Sequence, residues 1–571
     1  MWQYRCDPWI GIMLGLALVP VAHGRNASAQ DPYTTTETVK VDGVNPGNPG
    51  SEKYPGGRGP NELVVYTPEH GPRTGTNSYG IEATVVKGFV ESVGGNNSPI
   101  PADGLVVSGH GDAARWIATH LSQGKKVVLR AHARELVVVT DSQSHLENLK
   151  RMLTNAQRRL AEVAPPLSAG EEKRFREIES RAAELISHVT SSLNEAQFDE
   201  AQPPLKRLDD LVEEASLIAT RSPEVETRGF WDRITARSPQ EVATLMEDLE
   251  AHGVNCYLPE TYYGGESLSP SELVPQHEAF RGWDPLAAVI EQGHRRGIEV
   301  HAWVHDMHVG RAGSPLVKAH PDWLMRSRRG RRFSTLEPGY HYFSWCHPQA
   351  RRMLLDYYRE LVKEHPTLDG LHLDYIRFPV TDPEGEDFDY CDACRSAYRK
   401  EYGMDPIEIT PRNRQQWRRW CAWREKLVDD FVGQVSMELR GINPKLKLSA
   451  AVFMPLDEAR RTKYQNWGLW TDKGWLDFIC PMIYTLDPYS VATQTAEMVR
   501  RVGGKAHVFP GIGAYLGIPP MTLLRQVSVA RDAGAQGVVL FSWRGTRPQQ
   551  RRVLKLGPFR RHAIPVDARD R

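Results

Sequence analysis

Residues 369–379 read DGLHLDYIRFP, an apolar strand core of Leu371, Leu373 and Ile376 that closes on Asp374, Tyr375 and Arg377. A buried strand tolerates a carboxylate and a guanidinium only where they are paired or put to use. A (β/α)8 barrel uses such groups, because its chemistry is assembled at the carboxyl ends of its strands. The same signature extends in both directions along the chain. From Arg228 onward there are eight strand candidates: RGFWDRI at 228, NCYLPET at 255, IEVHAWVHD at 298, LDGLHLDYIRF at 368, LKLSAAVFMP at 446, DFICPMIYT at 477, HVFPGIGAYL at 507 and GVVLFSW at 537. Helix signals separate them: Ser238-Pro239 with Glu241 opens the first helix, and Asp284-Pro285 opens the second, which Gly297 stops. Eight βα units across residues 226–560 predict a TIM barrel with enlarged loops. An open doubly wound sheet is the competing architecture, but no glycine-rich phosphate loop follows any of the strands.

Upstream of the barrel the patterning changes three times. Residues 144–222 have helical periodicity rich in Glu, Arg, Leu and Ala; Pro165-Pro166 and Pro203-Pro204 divide them into three helices, the second opening with Ser168 and Glu171 as a capping box. This predicts a helical hairpin or small bundle, acting as a spacer or, through its apolar stripe, in self-association. Residues 62–143 give short β runs (ELVVY, ATVVKGFV, GLVVSG, KVVLR) divided by Gly, Asn and Pro, with one helix near Ala113 to Gln123, and so predict a small β-rich accessory domain. Residues 30–61 are rich in Thr, Gly, Pro and Asn and read as a flexible linker. Residues 1–29 read as a signal peptide, with Arg5 before an apolar run from Trp9 to Ala22 and a small-residue cleavage site at Ala27-Ser28-Ala29. That predicts an exported chain, periplasmic, envelope-bound or extracellular, with no stable membrane insertion once the signal is removed.

Composition narrows the partners. Charged residues make up 25% of the 571 and hydrophobic ones 40%, which is ordinary globular usage, and the formal net charge of zero argues against nucleic acid as a partner. Fifteen Trp and twenty Tyr suit stacking on sugar rings as well as core filling. Six cysteines follow the signal, of which Cys256 and Cys480 sit in apolar runs as buried small hydrophobes. Cys391 and Cys394 form a CxxC that a local disulfide could close; no second CxxC accompanies it, so a four-thiolate zinc site is not expected. No metal and no cofactor is assigned.

If the barrel is right, the useful residues lie at its strand ends. They are rich in carboxylates and aromatics and carry no GxSxG elbow. Two carboxyl groups among aromatics fit glycosidic bond hydrolysis, which needs one acid to protonate the leaving oxygen and one carboxylate as nucleophile or base. Asp374 suits the ionised role, with Arg377 beside it to favour the charged form. Glu260 and Asp306, at the ends of the second and third strands, are the candidates for the acid. Strand parity weighs against Asp306: if Trp303 points into the barrel, so does His305, and Asp306 points away. Trp231, Tyr262, Trp303, His305, Tyr484 and Trp543 join Arg377 as candidate substrate-binding residues.

RGFW at the first strand, Asn255, DPLAAVIEQGHRRGIEVHAWV, SWCHPQARRMLLDYYRELV, DGLHLDYIRFP and CPMIYT resemble, in this order, the glycosyl-hydrolase-like family 10 of bacterial TIM-barrel proteins, over roughly residues 226–545. The resemblance implies a secreted or envelope-bound glycosidase, one characterised relative acting on peptidoglycan glycan strands stripped of stem peptides. It carries Asp374, Arg377 and Tyr484 over as site residues. Many relatives have two adjacent acids where this chain has Leu373 and Asp374. The resulting expectation is an exported glycoside hydrolase acting on an envelope or extracellular polysaccharide; a non-catalytic glycan-binding barrel is the alternative.

Overall fold

The computed structural model describes residues 31–46, 61–76, 80–122, 124–161, 166–381 and 386–567. The signal-peptide segment lies outside the described residues, as do residues 47–60 of the linker.

Eight parallel strands close on themselves in the carboxyl-terminal half: β1 (Thr227–Asp232), β2 (Cys256–Tyr263), β3 (Glu299–His305), β4 (Gly370–Asp374), β5 (Lys447–Val452), β6 (Phe478–Ile483), β7 (the pieces His507–Val508 and Gly511–Ile512) and β8 (Gly537–Phe541). Each pairs with the next, and β8 pairs with β1 from Gly537 opposite Thr227 to Phe541 opposite Trp231, so no edge is left open. Closure buries both faces, which is why the strands read as apolar runs. Alternate residues divide between two cores. Trp231, Leu258, Trp303, Phe478, Phe509 and Val539 fill the barrel interior, while neighbours such as Phe230, Tyr257, Val304 and Leu373 pack outward against the helices. The expected (β/α)8 barrel is the observed one, strand for strand.

The amino-terminal part is an eight-stranded, mainly antiparallel sheet with the helix Gly111–His120 packed on it. It begins earlier than the linker reading allowed. Thr35–Lys40 pairs antiparallel with Glu135–Thr140, and Gly43–Val44 pairs parallel with the strand Leu63–Tyr66. A Thr-rich segment with few apolar residues needs no core of its own when it adds to the edge of an existing sheet, whose unpaired backbone groups it takes up.

Three helices follow, Ser142–Leu160, Ala169–Asn194 and Phe198–Ile218, sharing an apolar core. The capping box at Ser168 and Glu171 is present. The second break is not at Pro203-Pro204, which lie inside the third helix, but at Glu195–Gln197, where Ala196 takes φ +58°. The helices are tied to the barrel. Glu171 pairs with Arg560 at 2.6 Å and Arg561 at 2.5 Å, and Leu217 packs on Leu524 and Val553.

Cys256 and Cys480 are free and buried in the barrel interior. The disulfide joins Cys346 to Cys394 rather than closing the CxxC; Cys391 is a free thiol at the N-cap of the helix Asp392–Tyr402, its Sγ accepting from the Cys394 N–H. Among the described residues, no helix is long and apolar enough to cross a membrane.

Candidate active site

The period-2 alternation that divides the cores also decides which strand-end side chains meet. Leu258 and Glu260 share a direction on β2, Trp303 and His305 on β3, and His372 and Asp374 on β4; all six face inward, with the last of each pair at the mouth. There His305 is the shared neighbour. Its Nε2 lies 3.4 Å from Glu260 Oε1 and 3.9 Å from Asp374 Oδ2, so those two oxygens are at most about 7 Å apart. Burial holds the imidazole well below its ordinary pKa, with His308, Arg233 and Arg377 acting in the same direction, so it stands neutral between the two acids.

Asp374 is buried and bonded only by donors. Tyr375 N–H reaches Oδ1 at 2.7 Å, and Trp303 Nε1–H reaches Oδ2 at 3.1 Å. Burial drives its carboxyl up to about 6, against the pull of those donors and of Arg377. Tyr375 has φ +53°, in the left-handed region, and this turn lays its ring 4.7 Å from both His305 and His308. A non-glycine residue in that region is strained, and such strain collects at functional sites.

Glu260 is more enclosed. Arg233 grips both its oxygens, Nη2 at 3.0 Å from Oε1 and Nε closer still to Oε2. Burial pushes the Glu260 carboxyl up and the guanidinium pulls it back, the push being the larger effect. Arg233 also stacks 4.2 Å over the Tyr263 ring, and nearly half of its side chain is exposed, so this pair sits at the cleft surface.

The other expected residues divide by direction. Trp303 lies directly beneath the pair, and Tyr484 lines the mouth with Tyr515 and Phe541. Arg377 is close enough to act on Asp374 through space, but its ion pair is with Glu337 at 2.8 Å, and it stacks over Tyr375. Asp306 faces outward, where Tyr358 O–H donates to its Oδ1 at 3.0 Å from the helix Pro348–Glu364; it does not join Glu260 and Asp374. Trp231 is in the barrel interior, donating to His372 at 3.0 Å, below the mouth. Tyr262 points to the helices against Tyr357, and Trp543 packs outside the barrel on Phe230, His252 and Arg551. Three of the expected aromatics are therefore framework rather than cleft wall.

Arg233, Tyr263, Tyr340, Tyr375 and His308 occupy the mouth without having been singled out as binding residues. Tyr263 replaces Tyr262 because the β2–β3 register shifts between Glu260 and Tyr262, a bulge that re-aims the following side chains. His308 had a signal in its spacing from His305, and it stacks among Tyr340, Tyr342 and Tyr375. Leu373 faces the outer core, so the position where many relatives carry a second acid is not in the mouth of this chain.

The comparisons with known proteins concern the barrel half of the chain. Residues 226–522 match the model of the family described as glycosyl hydrolase-like 10. Glycosyl hydrolase YngK of Bacillus subtilis is 25% identical over 275 residues, 43% of this chain and 49% of the relative. Glycosyl hydrolase DigH of Escherichia coli K12 is 23% identical over 282 residues, 43% of this chain and 58% of the relative. The chain thus spans about half the length of these curated relatives. Among solved structures, α-L-fucosidase isoenzyme 2 from Paenibacillus thiaminolyticus is similar at TM-score 0.40 and 18% identity, over 58% of this chain and 48% of its own. With just over half of its 571 residues inside the family match, and with Glu260, Asp374 and Tyr484 among them, the chain belongs to the glycosyl hydrolase-like 10 family.

Proposed function

We propose that this protein is an exported glycoside hydrolase that cleaves an envelope or extracellular polysaccharide, peptidoglycan glycan strands being the first candidate, with Asp374 and Glu260 as its working pair. The observation that carries the reading is the approach of both carboxyl groups to one neutral histidine at the barrel mouth. A separation of at most about 7 Å falls among those used by paired-carboxylate glycosidases. In this reading Asp374 is the ionised carboxylate: at pH 7 a group with its pKa at about 6 is mostly charged, and both of its close partners donate. Glu260 is the proton donor, its carboxyl raised by burial against the pull of Arg233. Tyr263, Tyr375, Tyr484 and Trp303 surround the pair with ring surfaces suited to sugar faces. Export is supported by the apolar run from Trp9 to Ala22 and the small residues at 27–29, and the glycan-strand substrate by the family resemblance.

The test is the release of new reducing ends from a panel of envelope glycans that includes denuded peptidoglycan. Asp374→Asn and Glu260→Gln are each expected to lower kcat by roughly 10²–10⁴-fold. Parental rates in either variant would remove that residue from the mechanism. Binding of a glycan without cleavage by the parent chain would favour the non-catalytic alternative.

A further inference from the structure

The loop after β3 and the loop after β4 meet in a sulfur-rich cluster that the carboxylate pair does not use. Cys346 stands just before the helix Pro348–Glu364, and Asp389, Cys391 and Cys394 stand at the start of the helix Asp392–Tyr402. One donor atom each from Cys346, Asp389 and Cys394 lies within 4.8 Å of the others. Cys391 stands at the edge of this group: its Sγ lies 3.2 Å from Ser344 Oγ, which is itself 3.6 Å from Cys394 Sγ. Asp389 is fully buried. Its Oδ1 accepts from the main-chain N–H of Arg326 at 3.4 Å and of Cys391 at 3.3 Å, while its Oδ2 has no hydrogen-bond partner. An orphaned buried carboxylate oxygen among three sulfurs is costly unless something is bound there.

A disulfide between Cys346 and Cys394 accounts for two of these groups and leaves the Cys391 thiol free and Asp389 Oδ2 without a partner. A tetrahedral zinc ion accounts for all four. Its bonds of about 2.3 Å to sulfur and about 2.1 Å to carboxylate oxygen require four donors within roughly 4 Å of one another, two of them commonly in a Cys-x2-Cys turn at a helix start.

We propose that Cys346, Cys391, Cys394 and Asp389 form a structural zinc site, and that the Cys346–Cys394 disulfide is its metal-free, oxidised form. Passage between the two forms is a two-electron change. A dithiol reductant breaks the S–S bond and yields two thiols and its own disulfide; Zn²⁺ then forms three Zn–S bonds and one Zn–O bond, and the thiol protons leave to solvent. Either form clamps the loop that bears Glu337, Tyr340 and Tyr342 to the chain that runs on from Arg377, and so fixes one wall of the mouth. The metal adds Cys391 and Asp389 to that clamp.

The test is a Co²⁺ titration of the whole chain, first reduced with a dithiol and then freed of it. The expected result is one equivalent bound, with the intense visible bands of a tetrahedral ion and near-ultraviolet sulfur-to-cobalt charge transfer, both abolished by one equivalent of Zn²⁺. Cys391→Ser and Asp389→Asn leave the disulfide pair in place, so each can be shown to be folded in its oxidised form before reduction. Each is expected to weaken binding by more than the ~10–100-fold that loss of an outer partner costs. The proposal is overturned if the reduced parent chain takes up no stoichiometric cobalt, if the spectrum is that of an octahedral ion, or if Cys391→Ser titrates like the parent. None of these readouts depends on glycan cleavage.

Discussion

Asp306 and Asp374 are joined by a main-chain bond at 2.9 Å, yet one faces the helices and the other the cleft. Direction rather than residue type separates a framework acid from a working one. The cost of the working position has a measurable sign. A carboxyl held at about 6 in the folded protein keeps its proton after the unfolded chain has lost it at about 3.9, so stability falls as pH rises across that interval and then levels off. By pH 7 the charged Asp374 costs the fold at most roughly 3 kcal/mol. Asp374→Asn is therefore expected to melt at the same temperature as the parent or higher at neutral pH, while losing activity; a Tm several degrees lower in calorimetry would assign the carboxylate to stability instead. The same group predicts that kcat/KM of the parent declines as pH falls through about 6, and a profile flat down to pH 4 would rule out an ionised Asp374 in the free enzyme.

At the scale of the element, β4 illustrates how much local sequence can say. Its apolar core and its charged end are legible, although the strand itself is only Gly370–Asp374 and stops short of Ile376; so is the inward direction of Asp374 relative to Leu373, because strand side chains alternate. The bulge on β2 was not legible. It depends on how two strands pair, and it exchanged Tyr262 for Tyr263 at the mouth. Nor is the start of the third helix legible: Pro203-Pro204 read as a break, whereas packing of Leu205, Leu208 and Val212 keeps the helix continuous past them. Gly370 gives a test of strand spacing. A Cβ there would stand 2.1 Å from His301 Nδ1 and 2.8 Å from the Lys447 carbonyl oxygen, so Gly370→Ala must push β3 and β5 away from β4. The expected loss is about 1–3 kcal/mol or more, read as a lower urea midpoint; an unchanged midpoint would show that the strand start yields freely.

At the scale of the whole molecule, closure of the barrel is reinforced by a buried charge network at its amino-terminal end. Glu226 accepts from Arg228 at 2.8 Å and from Arg531 at 2.6 and 2.7 Å, joining the entry to β1 with the helix Pro520–Asp532 that precedes β8. Replacing Glu226 with Gln leaves two buried guanidinium groups without their anion and is expected to cost about 3–5 kcal/mol in urea unfolding; a loss below 1 kcal/mol would mean that water or main-chain carbonyls already satisfy both. Eight strands, their order, the helices between them and the family could be read from residue order alone, because period-2 and period-3.6 patterning and helix caps are local and the βα repeat admits few closures. Strand parity already set Asp306 apart, but only the tertiary structure decided that Glu260 stands beside Asp374, that Trp231, Tyr262 and Trp543 are framework, and that Cys346 reaches the CxxC. Those outcomes depend on strand register, on a bulge and on two long loops meeting in space, and no local pattern in the chain encodes such long-range contacts.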